Sequence, residues 1–316
     1  MDRKKIPGYW RANKMYEALV VQYLNYRLNF NPKTNYLIFS DPRGGSTWLT
    51  EIVHKITQKP ILWEPLHLKK VKEFKNLGFG WRQYIPEDAE WEEAKKLFDL
   101  LLKGKIRNKW IMQATTAKQL VHADAVLIKF CRGNMLLPYL TNNYQFVHKP
   151  VYLIRHPFAV VSSQLKHGGW KHPYEGFGIP KIPFNQIYKQ HKPFLASLKT
   201  KEEALTATWC ITNLVPLNHE KNNIDWITIN YETLLLHPEA VLNRVLTEWG
   251  IEYNLNNINF KRKSFTTRSG SPILGKEQMA YWKNNLTPEQ IDRMEAVLQY
   301  FKIKAYTRNP EPQIVY

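Results

Sequence analysis

The stretch Tyr36-Leu-Ile-Phe-Ser-Asp-Pro-Arg-Gly-Gly-Ser-Thr-Trp-Leu49 decides how this chain is expected to fold. Its first five residues, up to Ser40, are apolar with one polar end, which is typical of a buried strand. Asp, Pro and two glycines then favour a turn, and an apolar helical pattern runs from Ser46 to Ile56. A strand, a glycine turn and a helix N-terminus together direct backbone N–H groups at an anion. The stretch therefore predicts a phosphate-binding loop.

The side chains of this loop also suit an anion. Arg43 supplies a fixed positive charge, Ser46 and Thr47 supply hydroxyl donors, and Trp48 offers a flat ring for a base or a sugar. The loop is not that of the nucleoside triphosphatases, because their motif places a lysine after the second glycine, where this chain has Ser46 after Gly45. Taken alone, a glycine turn that merely allows close packing is an equally good interpretation.

A second segment, Pro150-Val-Tyr-Leu-Ile-Arg-His-Pro-Phe-Ala-Val-Val-Ser-Ser163, strengthens the first. Its apolar beginning predicts another buried strand with Arg155 at the carboxyl end, and Pro157 suits the first turn of a helix. Ligands of open α/β sheets bind outside the carboxyl ends of the strands, so Arg155 and Ser163 are expected to converge on a second phosphate. By itself the segment could equally be an arginine that ends a strand and a serine within a helix.

Together the two segments resemble the PAPS-dependent sulfotransferases (PAPS is 3'-phosphoadenosine 5'-phosphosulfate). The stretch 41–48 is similar to the 5'-phosphosulfate loop of that family, and 155–163 is similar to its 3'-phosphate motif, with the same spacing from arginine to serine. The stretch 227–239 resembles the last core strand and the tyrosine-glutamate turn after it. The stretch 275–290 resembles the late tryptophan segment, so the resemblance extends over residues 35–290.

The resemblance implies an enzyme that transfers the sulfuryl group of PAPS to a hydroxyl by in-line displacement and leaves 3',5'-ADP. No metal is expected, since no His/Cys/Asp cluster has ligand spacing. In the family a basic loop closes over the 3'-phosphate, and Arg268 is the residue that we assign to that contact. The residues that the resemblance assigns to the co-substrate are Arg43, Gly44, Gly45, Ser46, Thr47, Trp48, Arg155, Ser163 and Arg268.

The candidate for the catalytic base is Glu64, which lies between Trp63 and Pro65. A carboxylate among apolar neighbours is expected to have a raised pKa, which suits a general base. Glu-Pro-Leu at 64–66 is similar to a triplet in carbohydrate sulfotransferases, where the glutamate is assigned that role. His67 is the reserve candidate, and a glutamate that simply pairs with a basic neighbour is the structural alternative.

The segment Lys129-Phe-Cys-Arg132 departs from the cytosolic small-molecule branch of the family. That branch has a catalytic histidine two residues after the lysine, where this chain has Cys131. The segment is closer to the carbohydrate branch, which lacks that histidine. The difference moves the predicted base role towards Glu64 and favours a carbohydrate acceptor.

Length and composition limit the remaining possibilities. A chain of 316 residues with 44% hydrophobic residues suits one domain, and we expect residues 1–34 to form an N-terminal helical extension packed on it. The net charge of +18 favours an anionic acceptor such as an acidic polysaccharide, with nucleic acid or an anionic membrane as less expected partners. Solubility alone is the structural alternative for this charge. No apolar run reaches the length of a membrane span, and no signal-peptide pattern occurs, so the sequence predicts a cytoplasmic protein.

The expected fold is a three-layer α/β domain with a mostly parallel central sheet and a P-loop-like phosphosulfate-binding loop. Strands are predicted near residues 36, 61, 126, 151 and 226, and the stretch 174–183 is predicted to be a long loop. The segment 69–84 alternates lysines with aromatic residues, which would suit a sugar chain with acid groups or a solvated loop. The main predicted helices outside the motifs are Pro86–Leu102, Lys201–His219 and His237–Trp249.

Three other functions remain open at this point. The nearest is a sulfotransferase that acts on a small phenol, alcohol or lipid, which would need a deep apolar acceptor pocket. An ATP-dependent kinase is disfavoured because the loop lacks its lysine. A non-enzymatic polyanion-binding module would explain the charge but not the two phosphate segments.

Overall fold

The computed structural model describes residues 22, 23, 26, 28–167, 170, 172–262 and 275–316. Within these residues one five-stranded sheet has the order β2-β3-β1-β4-β5, with every neighbouring pair parallel. The predicted α/β class and the five predicted strand positions are confirmed. The strands are β1 (Tyr36–Ser40), β2 (Ile61–Trp63), β3 (Leu127–Phe130), β4 (Val151–Ile154) and β5 (Ile227–Asn230).

Helices connect these strands and cover both faces of the sheet. Short 3-10 turns lie at Pro32–Thr34, Asn134–Leu136, Leu255–Asn257 and Tyr281–Asn284. The helices of the described part are α1 (Ser46–Thr57), α2 (Lys72–Asn76), α3 (Glu92–Leu102), α4 (Ala117–Val121), α5 (Leu137–Asn143), α6 (Pro157–Lys166), α7 (Gln186–Lys189), α8 (Lys192–Ser197), α9 (Lys201–Leu217), α10 (Tyr231–Leu236), α11 (Pro238–Glu248), α12 (Lys276–Ala280) and α13 (Pro288–Tyr300).

The central strand β1 separates two apolar layers because successive side chains point to opposite faces. Leu37 and Phe39 belong to one buried cluster, which includes residues of α9 and α13. Tyr36 and Ile38 belong to the other, which includes the inner face of α1. A parallel sheet covered on both faces explains why the strands are apolar almost throughout. The three predicted layers are therefore present.

All three helices predicted outside the motifs differ from the prediction at their ends, and the one predicted as His237–Trp249 spans Pro238–Glu248. The helix predicted from Pro86 begins only at Glu92, because residues 87–88 form a turn and Trp91, with φ −130° and ψ 82°, is not helical. The helix predicted as 201–219 ends at Leu217. Gly250 follows α11 with a φ of 64°, as expected for the residue that ends a helix.

The N-terminal extension lies mostly outside the described residues, so its packing stays a prediction. Leu28 and Phe30 are described and buried, and the Phe30 N–H donates to the Lys103 carbonyl. The predicted long loop over 174–183 contains neither helix nor strand. Among the described residues, no helix combines the length and the apolar character that crossing a bilayer requires.

Candidate active site

The phosphate loop, residues 41–45, joins the carboxyl end of β1 to α1 in the middle of the sheet. The Gly44 N–H donates to the Asp41 carbonyl over 2.9 Å, which closes the turn. Arg43 and Gly45 have positive φ values of 74° and 95°. The first N–H groups of α1 have no carbonyl partner within the helix, and the helix dipole places partial positive charge there. The predicted strand, turn and helix arrangement is therefore present, and anion binding at this helix N-terminus stays a prediction.

Both glycines of the loop are also required by close packing. A Cβ atom on Gly44 would lie 2.3 Å from Oγ of Ser40, and one on Gly45 would lie 2.4 Å from Cδ2 of Tyr231. The packing interpretation is thus confirmed for this turn, and anion binding by the same turn stays a prediction. The backbone approaches its neighbours so closely that only glycine fits.

The two sequence segments meet as predicted. Nε of Arg43 donates to Oγ of Ser163 over 2.9 Å, and Nη1 of Arg155 donates to the Arg43 carbonyl over 3.1 Å. Within the described residues, the buried Nε of Arg155 has no hydrogen-bond acceptor. A buried donor without a partner is costly unless a ligand satisfies it, and an arginine is well suited to a phosphate.

Tyr231, the first residue of α10, packs against the phosphate loop, Trp48 and Arg155. Its ring lies below Gly45, makes an edge contact with Trp48 at a centroid distance of 6.0 Å, and carries the Arg155 guanidinium 4.3 Å from its centroid. Its hydroxyl accepts a hydrogen bond from Gln278 over 2.8 Å. Sequence reasoning assigned no role to Tyr231, although the tyrosine-glutamate turn after the last strand was the signal.

Asp41, the first residue of the phosphate loop, is held in place by a buried hydrogen-bond network. Only 4% of this residue is exposed, and its carboxylate accepts hydrogen bonds from Arg82 over 2.6 Å and from Asn213 over 2.6 Å. Arg82 lies in the loop before α3, and its backbone carbonyl accepts a hydrogen bond from Tyr188. This buried network also was not foreseen, because its members are far apart in sequence.

Glu64 directly follows β2 and has a positive φ of 39°. One carboxylate oxygen accepts from Lys129 over 3.2 Å and the other from Arg132 over 3.0 Å. Lys129 also donates to Oγ1 of Thr47 over 3.0 Å. One buried ammonium group therefore connects the predicted base to the first turn of α1.

The raised pKa predicted for Glu64 is wrong. Burial raises the pKa of this carboxyl group, but the positive charges of Lys129 and Arg132 outweigh burial and lower it below its ordinary value. Apolar sequence neighbours did not reveal the two cations, which come from the end of β3 and the residues after it. Glu64 is therefore ionised at neutral pH and paired with basic neighbours, as the structural alternative stated.

Lys129 is a candidate functional residue to which the sequence analysis assigned no role. It is 2% exposed, and its ammonium group lies 3.6 Å from the centroid of the Trp63 ring. A lysine within the buried strand β3 was the available signal, since lysines are rarely buried without partners. The structure gives it three: Glu64, Thr47 and the indole ring.

The other predicted site residues lie close to these groups. The His67 N–H donates to the Glu64 carbonyl over 3.1 Å, and burial followed by the charge of Arg132 lowers the pKa of its imidazole. Oγ of Ser46 is 3.2 Å from Sγ of Cys131, and burial raises the pKa of that thiol to about 11. Cys131 is thus unsuited to act as a base.

Two predicted features remain open. Arg268 lies outside the described residues, so its assignment to the 3'-phosphate stays a prediction. In the part of the chain that the structure describes, no group of three or more His, Cys, Asp or Glu residues could hold a metal ion.

The chain matches no protein-family model and no curated protein sequence. Among solved structures it is similar to a sulfotransferase domain of the Synechococcus PCC 7002 olefin synthase, with 16% identity, 84% of this chain and 95% of that chain covered, and a TM-score of 0.41. A sulfotransferase domain from the curacin biosynthetic pathway is 17% identical, with 85% of this chain and 97% of that chain covered and a TM-score of 0.42. Mouse sulfotransferase SULT7A1 complexed with PAP is 14% identical, with 90% of this chain and 89% of that chain covered and a TM-score of 0.43. At TM-scores this low, the likeness assigns neither a family nor an activity to this chain.

Proposed function

We propose that this protein transfers the sulfuryl group of PAPS to a hydroxyl of a carbohydrate, most suitably an acidic oligosaccharide or polysaccharide. The observation that carries the proposal is a pair of hydrogen bonds in the loop before α1. Arg155 donates to the Arg43 carbonyl, and the Arg43 side chain donates to Ser163 of α6. These bonds join two cations to one helix end, which suits a ligand with two separate anionic groups. The motif resemblance names that ligand.

The residues present fit such a co-substrate. The unpartnered Nε of Arg155 would donate to the 3'-phosphate beside Ser163. The N–H groups from Gly45 to Thr47 would donate to the 5'-phosphate, because the Gly44 N–H already donates to the Asp41 carbonyl. Trp48, packed against Tyr231, would hold the adenine. PAPS supplies the activated sulfuryl group, and the protein supplies positions and charges.

Glu64 would accept the proton of the acceptor hydroxyl as the new sulfur–oxygen bond forms. The bond between sulfur and the bridging phosphate oxygen breaks at the same time, and its electron pair leaves with the 5'-phosphate. Arg43 and the N-terminus of α1 would stabilise the charge that develops on that oxygen. Lys129, already bound to Thr47 and Glu64, would hold the carboxylate beside the reacting group.

A small phenol is the second candidate acceptor. Trp110 donates to the Glu64 carbonyl, Trp81 and Trp110 both pack against His67, and these indole rings would also stack on a phenol ring. Activity itself is tested by mass spectrometry, as a gain of one sulfate on acceptors incubated with PAPS. A panel of acidic oligosaccharides, neutral oligosaccharides and phenols separates the two candidates. If no acceptor gains a sulfate and PAPS is not consumed, the proposed activity is rejected.

The nucleotide preference gives a direct test of the second motif. We expect 3',5'-ADP to bind more tightly than 5'-AMP by roughly 1.5–3 kcal/mol, the value of a charged hydrogen bond, because Arg155 and Ser163 read the 3'-phosphate. Calorimetry measures both affinities. Arg155→Met should remove the preference, whereas Arg244→Met, at an arginine bound to the Thr228 carbonyl, should keep it. Equal affinities in the unmodified protein would reject the assignment.

The glycine turn gives a second test. Gly45→Ala is expected to weaken 3',5'-ADP binding about tenfold or more, because the φ of 95° and the approach to Tyr231 force the loop to move. Gly250→Ala is the matched control, since Gly250 also has a positive φ but nothing within 4 Å of an added Cβ. Both variants carry backbone strain, and only the first should lose affinity. Unchanged affinity in Gly45→Ala would show that the loop does not bind the nucleotide.

A further inference from the structure

Four side chains beside Glu64 form a cluster that the co-substrate does not need. We name Trp81, Trp110, His67 and Arg132 the acceptor platform. The His67 ring makes edge contacts with Trp81 at 5.3 Å and Trp110 at 4.7 Å, and the Arg132 guanidinium lies 4.8 Å from the Trp81 ring centroid. The cluster is therefore one continuous surface.

The platform is joined directly to the predicted base. Nε1 of Trp110 donates to the Glu64 carbonyl over 3.2 Å, and Arg132 donates to the Glu64 carboxylate over 3.0 Å. A molecule bound on the platform would therefore lie next to the carboxylate that takes a proton in the proposed reaction.

Sheet order separates the platform from the nucleotide residues. Glu64 follows β2 and Arg132 comes soon after β3, on one side of the central strand β1. Arg155 follows β4 and Tyr231 follows β5, on the other side. The phosphate loop after β1 lies between them. A group transferred across this loop would thus pass from the β4–β5 side to the β2–β3 side.

The chemistry of the platform suits a sugar with an acid group. Trp81 is 39% exposed, so part of the residue is available to a ligand, and an accessible indole face packs well against the C–H face of a sugar ring. Within the described residues, the buried Nδ1 of His67 has no hydrogen-bond partner, and it could bond a sugar hydroxyl.

Positive charge surrounds the rings. Arg132 carries N–H groups beyond the one bound to Glu64, and the Lys70 ammonium lies 6.0 Å from the Trp110 ring centroid. Lys69, Lys72 and Lys75 are exposed on the same segment and on α2. A phenol would need an enclosed apolar pocket. An exposed indole ring with cations beside it suits a sugar that carries a carboxylate, because the ring contacts the sugar and the cations bind the carboxylate.

We propose that the acceptor platform binds an oligosaccharide that contains uronic acid, with a sugar ring on Trp81 and a carboxylate at Arg132 and Lys70. This inference rests on the proposed function, because it takes Glu64 as the base, and it names the class of acceptor that the same site takes. His67 and Trp110 hold the bound sugar ring next to Glu64.

Binding rather than turnover tests the platform. The probe is an unsulfated hexasaccharide of alternating glucuronate and N-acetylglucosamine, and the neutral comparison is a hexasaccharide of N-acetylglucosamine. Calorimetry with the 3',5'-ADP-saturated protein and with the protein alone should show that the acidic probe binds more tightly. That preference should decrease between low and physiological ionic strength, since exposed attractions are screened.

Trp81→Ala should weaken binding of the acidic probe on the order of tenfold, the loss expected for an important aromatic contact. Trp81→Phe should restore part of the loss. Tyr300→Ala is the matched control, at a residue of α13 that is 42% exposed and stacks on Phe194. An unchanged 3',5'-ADP affinity in Trp81→Ala would show that the variant is folded.

The outcomes separate this inference from the proposed function. Equal binding of the acidic and neutral probes, or unchanged binding in Trp81→Ala, would overturn the platform. Binding of 4-nitrophenol that depends on Trp81, with no binding of either hexasaccharide, would overturn it in favour of a small phenol. The preference for 3',5'-ADP over 5'-AMP would survive both results, and its loss would reject the proposed function instead.

Discussion

Glu64→Gln is expected to lower kcat by on the order of 10²–10⁴, the usual value of a general base, with little change in 3',5'-ADP affinity. Glutamine keeps the size of glutamate and its ability to accept a hydrogen bond from Lys129 or Arg132, but it cannot take the proton of an acceptor hydroxyl. The nucleotide residues lie on the other side of β1, so their contacts with the product should persist. Steady-state rates from mass spectrometry, together with calorimetry, measure both quantities.

The pH dependence follows from the lowered pKa of Glu64. Burial raises this pKa, but the charges of Lys129 and Arg132 lower it by more, so the pKa of the carboxyl group lies below its ordinary value. The rate should therefore lack an acidic limb due to Glu64 between pH 5 and 8. These ion pairs also stabilise the fold above the unfolded-state pKa, and that stabilisation is lost as pH falls through the lower folded-state pKa.

Matched variants separate catalysis from folding. Glu87→Gln removes a glutamate that is also paired with two basic side chains, Lys221 and His219, outside the proposed site, and it should leave kcat unchanged. His67→Ala should reduce kcat much less than Glu64→Gln, and Cys131→Ser should have a mild effect. Near-normal turnover in Glu64→Gln combined with no turnover in His67→Ala would transfer the base role to the histidine.

The strands of this fold were predictable because each is a short apolar run bounded by turn residues. Even β2, with three residues, is marked by Pro60 before it and by Glu64-Pro65 after it. The predicted start of α3 at Pro86 was wrong, because Pro86 and Asp88 also favour turns. The residues that begin the helix are Glu92 and Glu93, whose charges suit the first turn.

The site was predictable where function depends on spacing along the chain. Arg155 and Ser163 were expected to lie near the phosphate loop, and each is hydrogen-bonded to Arg43 of that loop, because parallel strands bring their carboxyl ends to one edge. The pKa of Glu64 was not predictable, since Lys129 and Arg132 reach it from a neighbouring strand. Whether these residues act as assigned stays a prediction for the experiments above.

Long-range polar networks form the second part that sequence patterns do not reveal. Asp41 was noted only as a turn residue, yet its carboxylate binds Arg82, which is 41 positions away, and Asn213, which is 172 positions away. No periodicity links such residues, because each lies in a different element. Only the folded sheet brings them together below the phosphate loop.

Asp41→Asn is expected to lower the free energy of unfolding by about 3–5 kcal/mol, the usual cost of removing one partner from a buried ion pair. The Arg82 side chain is 13% exposed and that of Asp41 is 4% exposed, so water replaces little of the lost interaction. The asparagine amide would also face the amide of Asn213, which now donates to the carboxylate. Urea unfolding should show a lower midpoint with an unchanged slope.

Asp124→Asn is the matched control, because Asp124 is also paired at 2.6 Å, with Lys59, but its side chain is 80% exposed. That pair should contribute at most about 1 kcal/mol, since exposed ion pairs contribute little. Replacing both partners, in Asp41→Asn with Arg82→Met, should cost less than the sum of the single changes, because no unpaired charge is left buried. Equal losses in Asp41→Asn and Asp124→Asn would mean that the phosphate loop is held by its backbone alone. A large loss in the first variant only would show that the loop before α3, which carries Trp81 beside Arg82, also anchors the phosphate loop.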